Sequence, residues 1–265
     1  MKDLEMIRDA AIEAAREAGS YARFRCGDLK DVSHKQGHSD LVTDVDTSCE
    51  KMIIDRIKET FPLHSILAEE SGKDDGEKEF CWIIDPIDGT VNYAHGFPFY
   101  CTSIGVLHEG RVKVGVVYDP ERDELFAAVE SRGAFLNGSR IKVSQVDKVR
   151  DAMVATGFAY QVSGKMRTIP FFKLMLREAQ AVRRAGSAAL DLCYVACGRF
   201  DGFWEFGLNP WDTAAGQLIL KEAGGLVSKA DGADFDIFEG QIAASNGKIH
   251  REILTLLGSC SAEEL

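Results

Sequence analysis

The chain has 265 residues, 45% of them apolar and 28% charged, with 31 Lys and Arg against 42 Asp and Glu for a formal net charge of −11. That composition builds a sizeable buried core, in one large domain or two closely joined ones, and excludes a fibrous or disordered chain. The acidic balance speaks against direct nucleic-acid contact, and it means that any anionic ligand must be met by local positive charge, which bound metal cations would supply.

The opening Met1-Lys2-Asp3-Leu4-Glu5 lacks the basic-then-apolar pattern of a signal peptide. No stretch reaches the ~18 apolar residues of a membrane-spanning helix. Seven irregularly spaced cysteines read as free thiols in a reducing compartment, so a cytoplasmic location is expected.

Leu4, Ile7, Ala11, Ala14, Ala15 and Ala18 recur at helical spacing and predict a helix over 3–26, ended by Gly27. Residues 28–43 read as a polar loop. A second helix follows, with Asp46, Thr47 or Ser48 as its cap and Cys49, Met52, Ile53 and Ile57 on one face. A short strand at 65–68 runs into Glu69-Glu70-Ser71-Gly72, and 72–79 reads as a solvated acidic loop. The apolar strand 80–84 is broken abruptly by Asp85-Pro86-Ile87-Asp88-Gly89-Thr90. Strands at 100–108, 111–118 and 124–130, with a turn at Glu109-Gly110, form an antiparallel meander.

From about 150 the rhythm changes to alternation: strand 152–156, helix 169–180, strand 181–184, helix 187–198, strand 202–206, helix 212–223 and strand 226–229. This predicts a partly parallel sheet. The expected division is an N-terminal α+β subdomain, 1–145, and a C-terminal α/β subdomain, 146–265. The two are read as one compact unit with a site in the crevice between them.

The chemistry concentrates at Asp85-Pro86-Ile87-Asp88-Gly89-Thr90. Two carboxylates three apart leave a buried strand, Pro86 holds Asp85 extended, and Gly89 permits a tight turn into a helix start. Carboxylates for a metal and backbone N–H groups for a phosphate would lie together there. If strands 65–68 and 80–84 pair side by side, Glu69 becomes the neighbour of Asp85. Asp212, after Pro210-Trp211, sits in the first turn of a helix, where a plain dipole-favoured acid is the simplest reading. Glu205, ending an apolar strand, is either an exposed acid or an acceptor for hydroxyl groups. Arg183-Arg184 reads as a surface pair, with anion binding at a site rim as the alternative.

Lys35, Asp40-Leu41-Val42-Thr43-Asp44-Val45-Asp46, Glu69-Glu70-Ser71-Gly72, the run from Trp82 through Tyr93, Gly186-Ser187-Ala188-Ala189 and Trp211-Asp212-Thr213-Ala214-Ala215-Gly216 stand in a specific order. In these motifs the sequence resembles the inositol monophosphatase family of Mg²⁺-dependent, Li⁺-inhibited phosphatases, over nearly its whole length. The resemblance implies a layered αβαβα sandwich of mixed α+β and α/β character and the hydrolysis of inositol monophosphate by metal-activated water. It implies two or three Mg²⁺. Glu69, Asp85 and the carbonyl of Ile87 would hold one, Asp85, Asp88 and Asp212 a second, and Glu69 would help hold a third through waters. Asp46 and Thr90 would orient and deprotonate the water, the N–H groups of Gly89 and Thr90 would hold the phosphate, and Asp88, Ser187, Ala188, Glu205 and Asp212 would face the substrate. Lys35 would lie on a loop that closes near the metals.

A homodimer is also implied. Relatives act on fructose 1,6-bisphosphate, histidinol phosphate or other small phosphate esters. Some bacterial relatives instead act as RNA-polymerase-associated factors in ribosomal RNA synthesis, which leaves a protein partner open as a reading from a different class.

Overall fold

The structure, a computed structural model, describes residues 2–28, 31–34, 41–74, 76–159 and 162–259. Two helices open it, α1 (Lys2–Arg25) and α2 (Asp44–Thr60). Between them β1 (Val32–His34) and β2 (Leu41–Thr43) pair as an antiparallel ribbon where a loop is expected. Lys35, assigned to a closing loop, lies outside the described residues. The start of α2 also differs from expectation. Its cap is Thr43, whose hydroxyl accepts from the N–H groups of Val45 and Asp46, while the Asp46 carboxylate accepts from the N–H of Thr43. This reciprocal closure satisfies the free amides of the first turn and leaves Asp46 inside the helix rather than ahead of it.

Eight strands form the larger sheet: β3 (His64–Ala68), β4 (Gly72–Asp74), β5 (Glu77–Asp88), β6 (Cys101–His108), β7 (Arg111–Asp119), β8 (Glu124–Val129), β9 (Gly133–Leu136) and β10 (Ser139–Arg140). Their order is β10-β9-β8-β7-β6-β5-β3-β4. β4 lies within the segment expected as a solvated loop; it pairs antiparallel with β3. The short helix α3 (Thr90–Ala94) follows β5. Within this sheet β3 and β5 run parallel, Ala68 beside Ile84, so their ends come out together. The expected neighbourhood of Glu69 and Asp85 follows from that register.

The second sheet holds β11 (Met153–Thr156), β12 (Ala181–Arg183), β13 (Gly202–Phe206), β14 (Leu226–Ser228) and β15 (Gln241–Ser245), in the order β12-β11-β13-β15-β14. β11 is parallel to both β12 and β13, and the remaining pairs are antiparallel, so the sheet is partly parallel. Four helices flank it: α4 (Val162–Glu178), α5 (Ala188–Ala196), α6 (Pro210–Glu222) and α7 (His250–Ser259).

Three apolar clusters define the layers. One joins α1 and α2 to the outer face of the large sheet. The next fills the space around α5 and α6 between the two sheets. The third packs α4 and α7 on the far face of the second sheet. The result is the layered αβαβα sandwich. Among the described residues no helix is long and apolar enough to cross a membrane.

One contact sets the depth of α6. Gly105 on β6 and Gly115 on β7 stand opposite each other. A Cβ at Gly105 would lie 2.7 Å from the Ala214 Cβ, and one at Gly115 would lie 2.6 Å from the Ala215 carbonyl oxygen. The helix therefore rests nearer the sheet than any side chain there would permit, and its N-terminal Asp212 is brought down toward the end of β5.

Candidate active site and metal centre

The site is built where β5 stops being regular. Asp85 pairs with Ser103 and Asp88 with Cys101, so the segment between them forms a bulge in the ladder. Thr102 donates its hydroxyl to the Pro86 carbonyl at 3.0 Å and fixes the bulge from the neighbouring strand. Gly89 then takes φ 103°, a left-handed conformation that a side chain resists, and α3 begins. Asp88 is tied across the layers: its Oδ2 accepts from the Ser187 hydroxyl at 2.6 Å and from the Ala189 N–H at 2.7 Å. Asp212 stands at the third position of α6, accepting from the Asn209 N–H at 2.6 Å.

One oxygen from each of Asp85, Asp88 and Asp212 lies within 4.8 Å of the others. Glu69 flanks Asp85 from the end of β3, its N–H donating to the Ile84 carbonyl at 3.1 Å. Asp85 and Asp88 are buried, and Asp212 is half-buried. Burial pushes the Asp85 and Asp212 carboxyls well above the ordinary range, and the neighbouring carboxylates add to both shifts. Asp88 rises to about 6; burial dominates, against the hydrogen bonds from Ser187 and Ala189. Asp85 Oδ1 is buried with no hydrogen-bond partner. Like charges crowded together around an unsatisfied oxygen suit a hard divalent cation, which takes carboxylate oxygens and cancels their repulsion. The cluster is of a kind that can hold a metal ion.

Asp46 lies beside this cluster, fully buried on α2. Its Oδ2 accepts from Thr43, N–H and hydroxyl both, and its Oδ1 lies 3.1 Å from the Thr90 hydroxyl. The same hydroxyl lies 3.1 Å from the Ile87 carbonyl. Burial raises the Asp46 carboxyl to about 6, opposed by the Thr43 hydrogen bonds and helped by the charge of Glu69. The structure thus brings together Asp46, Glu69, Asp85, Ile87, Asp88, Gly89, Thr90 and Asp212, which come from four separate stretches of sequence.

Residues 3–262 match the inositol monophosphatase family. The chain is 46% identical over 259 residues, 97% of its own length and 90% of the relative's, to an inositol-1-monophosphatase of Synechocystis sp.. The chain belongs to the inositol monophosphatase family. It is also 43% identical over 248 residues, 92% of each protein, to the Nus factor SuhB of Escherichia coli. The inositol monophosphatase of Anabaena shares its fold with a TM-score of 0.87 at 41% identity, over 98% of both chains. As an inositol monophosphatase family member the chain is an enzyme, a hydrolase of phosphate monoesters.

In this family member a pocket opens from Asp88 and Asp212 toward the second sheet. Ser187 and Ala188 line it at the start of α5, and Glu205 lines it at the end of β13. Glu205 is 9% exposed, and burial pushes its carboxyl up to about 8, with the Arg184 charge opposing and the Asp88 charge adding. Arg184 reaches this pocket, whereas Arg183 is an exposed side chain that donates to the Val182 carbonyl.

Sequence reasoning missed two further residues here. Asp191 is 1% exposed, its Oδ1 has no partner, and burial together with the Glu205 charge raises its carboxyl well above the ordinary range. The signal was present, since it is the one charged residue in the otherwise apolar Ala188–Ala196 helix. Gly157, after β11, leaves the space that the Glu205 carboxylate fills; nothing in its local sequence marks it.

Proposed function

We propose that the chain is a Mg²⁺-dependent phosphatase that hydrolyses inositol monophosphate. The observation that carries this reading is the meeting of Asp85, Asp88 and Asp212 around an unpartnered buried oxygen, in a chain of this family. Glu69, Asp85, the Ile87 carbonyl, Asp88 and Asp212 would hold two or three Mg²⁺. Bound there, the ions supply positive charge to the phosphate oxygens and acidify water.

The chain's own groups do the rest. Asp46, with a carboxyl raised to about 6, is ionised near neutral pH yet basic enough to accept a proton by way of Thr90. The Thr90 hydroxyl, 3.1 Å from Asp46 Oδ1, would pass its proton to Asp46 as it takes one from the attacking water, and Glu69 would act with them on that water. The N–H groups of Gly89 and Thr90 hold the phosphate. Asp88, Ser187, Ala188, Glu205 and Asp212 face the alcohol, and the Glu205 carboxyl, which burial keeps protonated near neutral pH, offers the alcohol's hydroxyls a carbonyl oxygen as acceptor and an O–H as donor. The lobes 1–145 and 146–265 act as one unit, the first bringing most metal ligands and the second bringing Asp212 and the alcohol contacts.

The test is phosphate release with Mg²⁺ from inositol 1-phosphate and from fructose 1,6-bisphosphate. A higher kcat/KM for the inositol ester supports the reading; the reverse order moves the substrate to a sugar bisphosphate. A Cβ at residue 157 would collide with the Glu205 carboxylate. Gly157→Ala is therefore expected to raise KM for inositol 1-phosphate about tenfold or more, close to the effect of Glu205→Ala, with the double variant no worse than either single one. Additive losses would show that Gly157 does not act through Glu205. We further propose a cytoplasmic homodimer inhibited by Li⁺, to be checked by sedimentation and by Li⁺ titration of phosphate release.

A second reading is favoured by the relatives that carry the name Nus factor SuhB. On that reading the chain serves a protein partner such as RNA polymerase. Absence of turnover on every ester, together with retention of a purified polymerase, would favour it.

A further inference from the structure

Helix α2 carries a second buried acid that the reaction as outlined does not use. Glu50 lies four residues after Asp46, on the same helical face, and is 3% exposed. Its two oxygens do not point at the carboxylate cluster's ligands directly. Oε2 accepts the backbone N–H of Glu70 at 2.7 Å, and Oε1 accepts that of Ser71 at 2.8 Å. These two amides belong to the turn that joins β3 to β4, and the first residue of that turn is Glu69.

We propose that Glu50 is a positioning residue for the metal centre, setting the Glu69 carboxylate through the backbone of the 69–71 turn. The turn has two anchors. On the strand side, the Glu69 N–H continues the parallel ladder by donating to the Ile84 carbonyl. On the far side, the Glu50 carboxyl group binds two successive amides, one to each oxygen, which fixes both the turn and its distance from α2.

β4 itself is a strand of three residues at the sheet edge, with Lys73 and Asp74 exposed, so it contributes little rigidity of its own. Because Asp46 and Glu50 share one helix, α2 acts as a rigid spacer. One turn of it fixes the buried Asp46–Thr90 contact, and the next fixes the turn that presents Glu69. The distance between the proposed base and the Glu69 carboxylate is thereby set by helical geometry rather than by loop packing.

This inference rests on the metal reading above, and the experiment separates the two. Mg²⁺ is titrated calorimetrically into metal-free wild type, Glu50→Gln and Glu50→Ala, and each metal-free protein is also melted. Loss of groups that orient metal ligands costs about 10- to 100-fold in affinity. Glu50→Ala is expected to raise the Mg²⁺ dissociation constant at least about tenfold. Glu50→Gln, which keeps one acceptor oxygen, should fall between it and wild type. At saturating Mg²⁺ both variants should regain a kcat within about threefold of wild type, because no group touching the substrate has changed.

An unchanged Mg²⁺ affinity beside a lowered melting temperature would overturn the inference and leave Glu50 as a clamp on the fold alone. If Glu50→Ala does not fold, the same comparison is decided by Glu50→Gln. Wild type that takes up no Mg²⁺ would instead overturn the metal reading itself, and the inference with it.

Discussion

Asp85→Asn is expected to lose more than about 100-fold in kcat/KM while melting at a higher temperature than wild type when Mg²⁺ is absent. The two halves of this result have one cause. Asp85 is buried, its Oδ1 has no partner, and the carboxylates of Glu69, Asp88 and Asp212 surround it. In the metal-free fold its charge is a burden, which burial and like-charge repulsion show by raising its carboxyl well above the ordinary range. An amide of the same shape removes that charge and stabilises the fold. The same change removes the oxygen that the proposed ions share, and since groups one step removed from a metal are already worth 10- to 100-fold, roughly, the ligand itself should exceed that. Melting without Mg²⁺ and phosphate release with it are the two measurements. Wild-type activity at saturating Mg²⁺, or a metal-free protein less stable than wild type, would contradict the account of Asp85 as a charge held in readiness for a cation.

How much of this could be read from the chain depended on whether a residue's task was local. The disturbance at Asp85-Pro86-Ile87-Asp88-Gly89-Thr90 is a local event, an apolar run meeting two acids and a glycine, but it bends the strand rather than ending it at residue 84: β5 runs on through Asp88 with a bulge between Asp85 and Asp88, and α3 begins at Thr90. The meeting of Glu69 with Asp85 needed one further assumption, that 65–68 and 80–84 pair, and the parallel register supplies it. Asp212 gave no local sign beyond that of a helix-start acid. What brings it in is the pairing of Gly105 with Gly115 against Ala214 and Ala215, a fit between segments about a hundred residues apart that no window of sequence displays.

The same holds for Gly157 beneath Glu205. The short edges were lost for a different reason. β1, β4, β9 and β10 are two to four residues long, and strands of that length take their state from a partner rather than from their own propensity. Thr43 as the true cap of α2 was hidden among Asp46, Thr47 and Ser48 because all are capable caps, and only the return bond from Asp46 chooses between them.

The second large effect concerns Glu205, where stability and proposed function pull in opposite directions. In an unfolded chain its carboxyl titrates near its ordinary value of 4.5, while burial holds the folded one up to about 8. Between those two values the unfolded state has given up a proton that the folded state keeps. Folding stability therefore falls as pH rises through this window, at up to about 1.4 kcal/mol per pH unit. At pH 7 the accumulated cost is on the order of 3 kcal/mol. Glu205→Gln cannot ionise, so metal-free Glu205→Gln should melt several degrees above wild type at pH 7, should differ little from it at pH 4.5, and should show a flatter dependence on pH in between.

The gain at Glu205 is expected to come at the expense of the proposed alcohol contacts. An amide at 205 keeps one acceptor oxygen but replaces the acid's O–H, which can both donate and accept, with an NH₂ that only donates. The kcat/KM for inositol 1-phosphate should fall about tenfold or more. A variant with wild-type kcat/KM would remove Glu205 from the alcohol pocket. One whose stability tracks wild type across the whole pH range would show that Glu205 is ionised in the folded protein at neutral pH, with Arg184, the cation that already opposes its shift, as the group that compensates it.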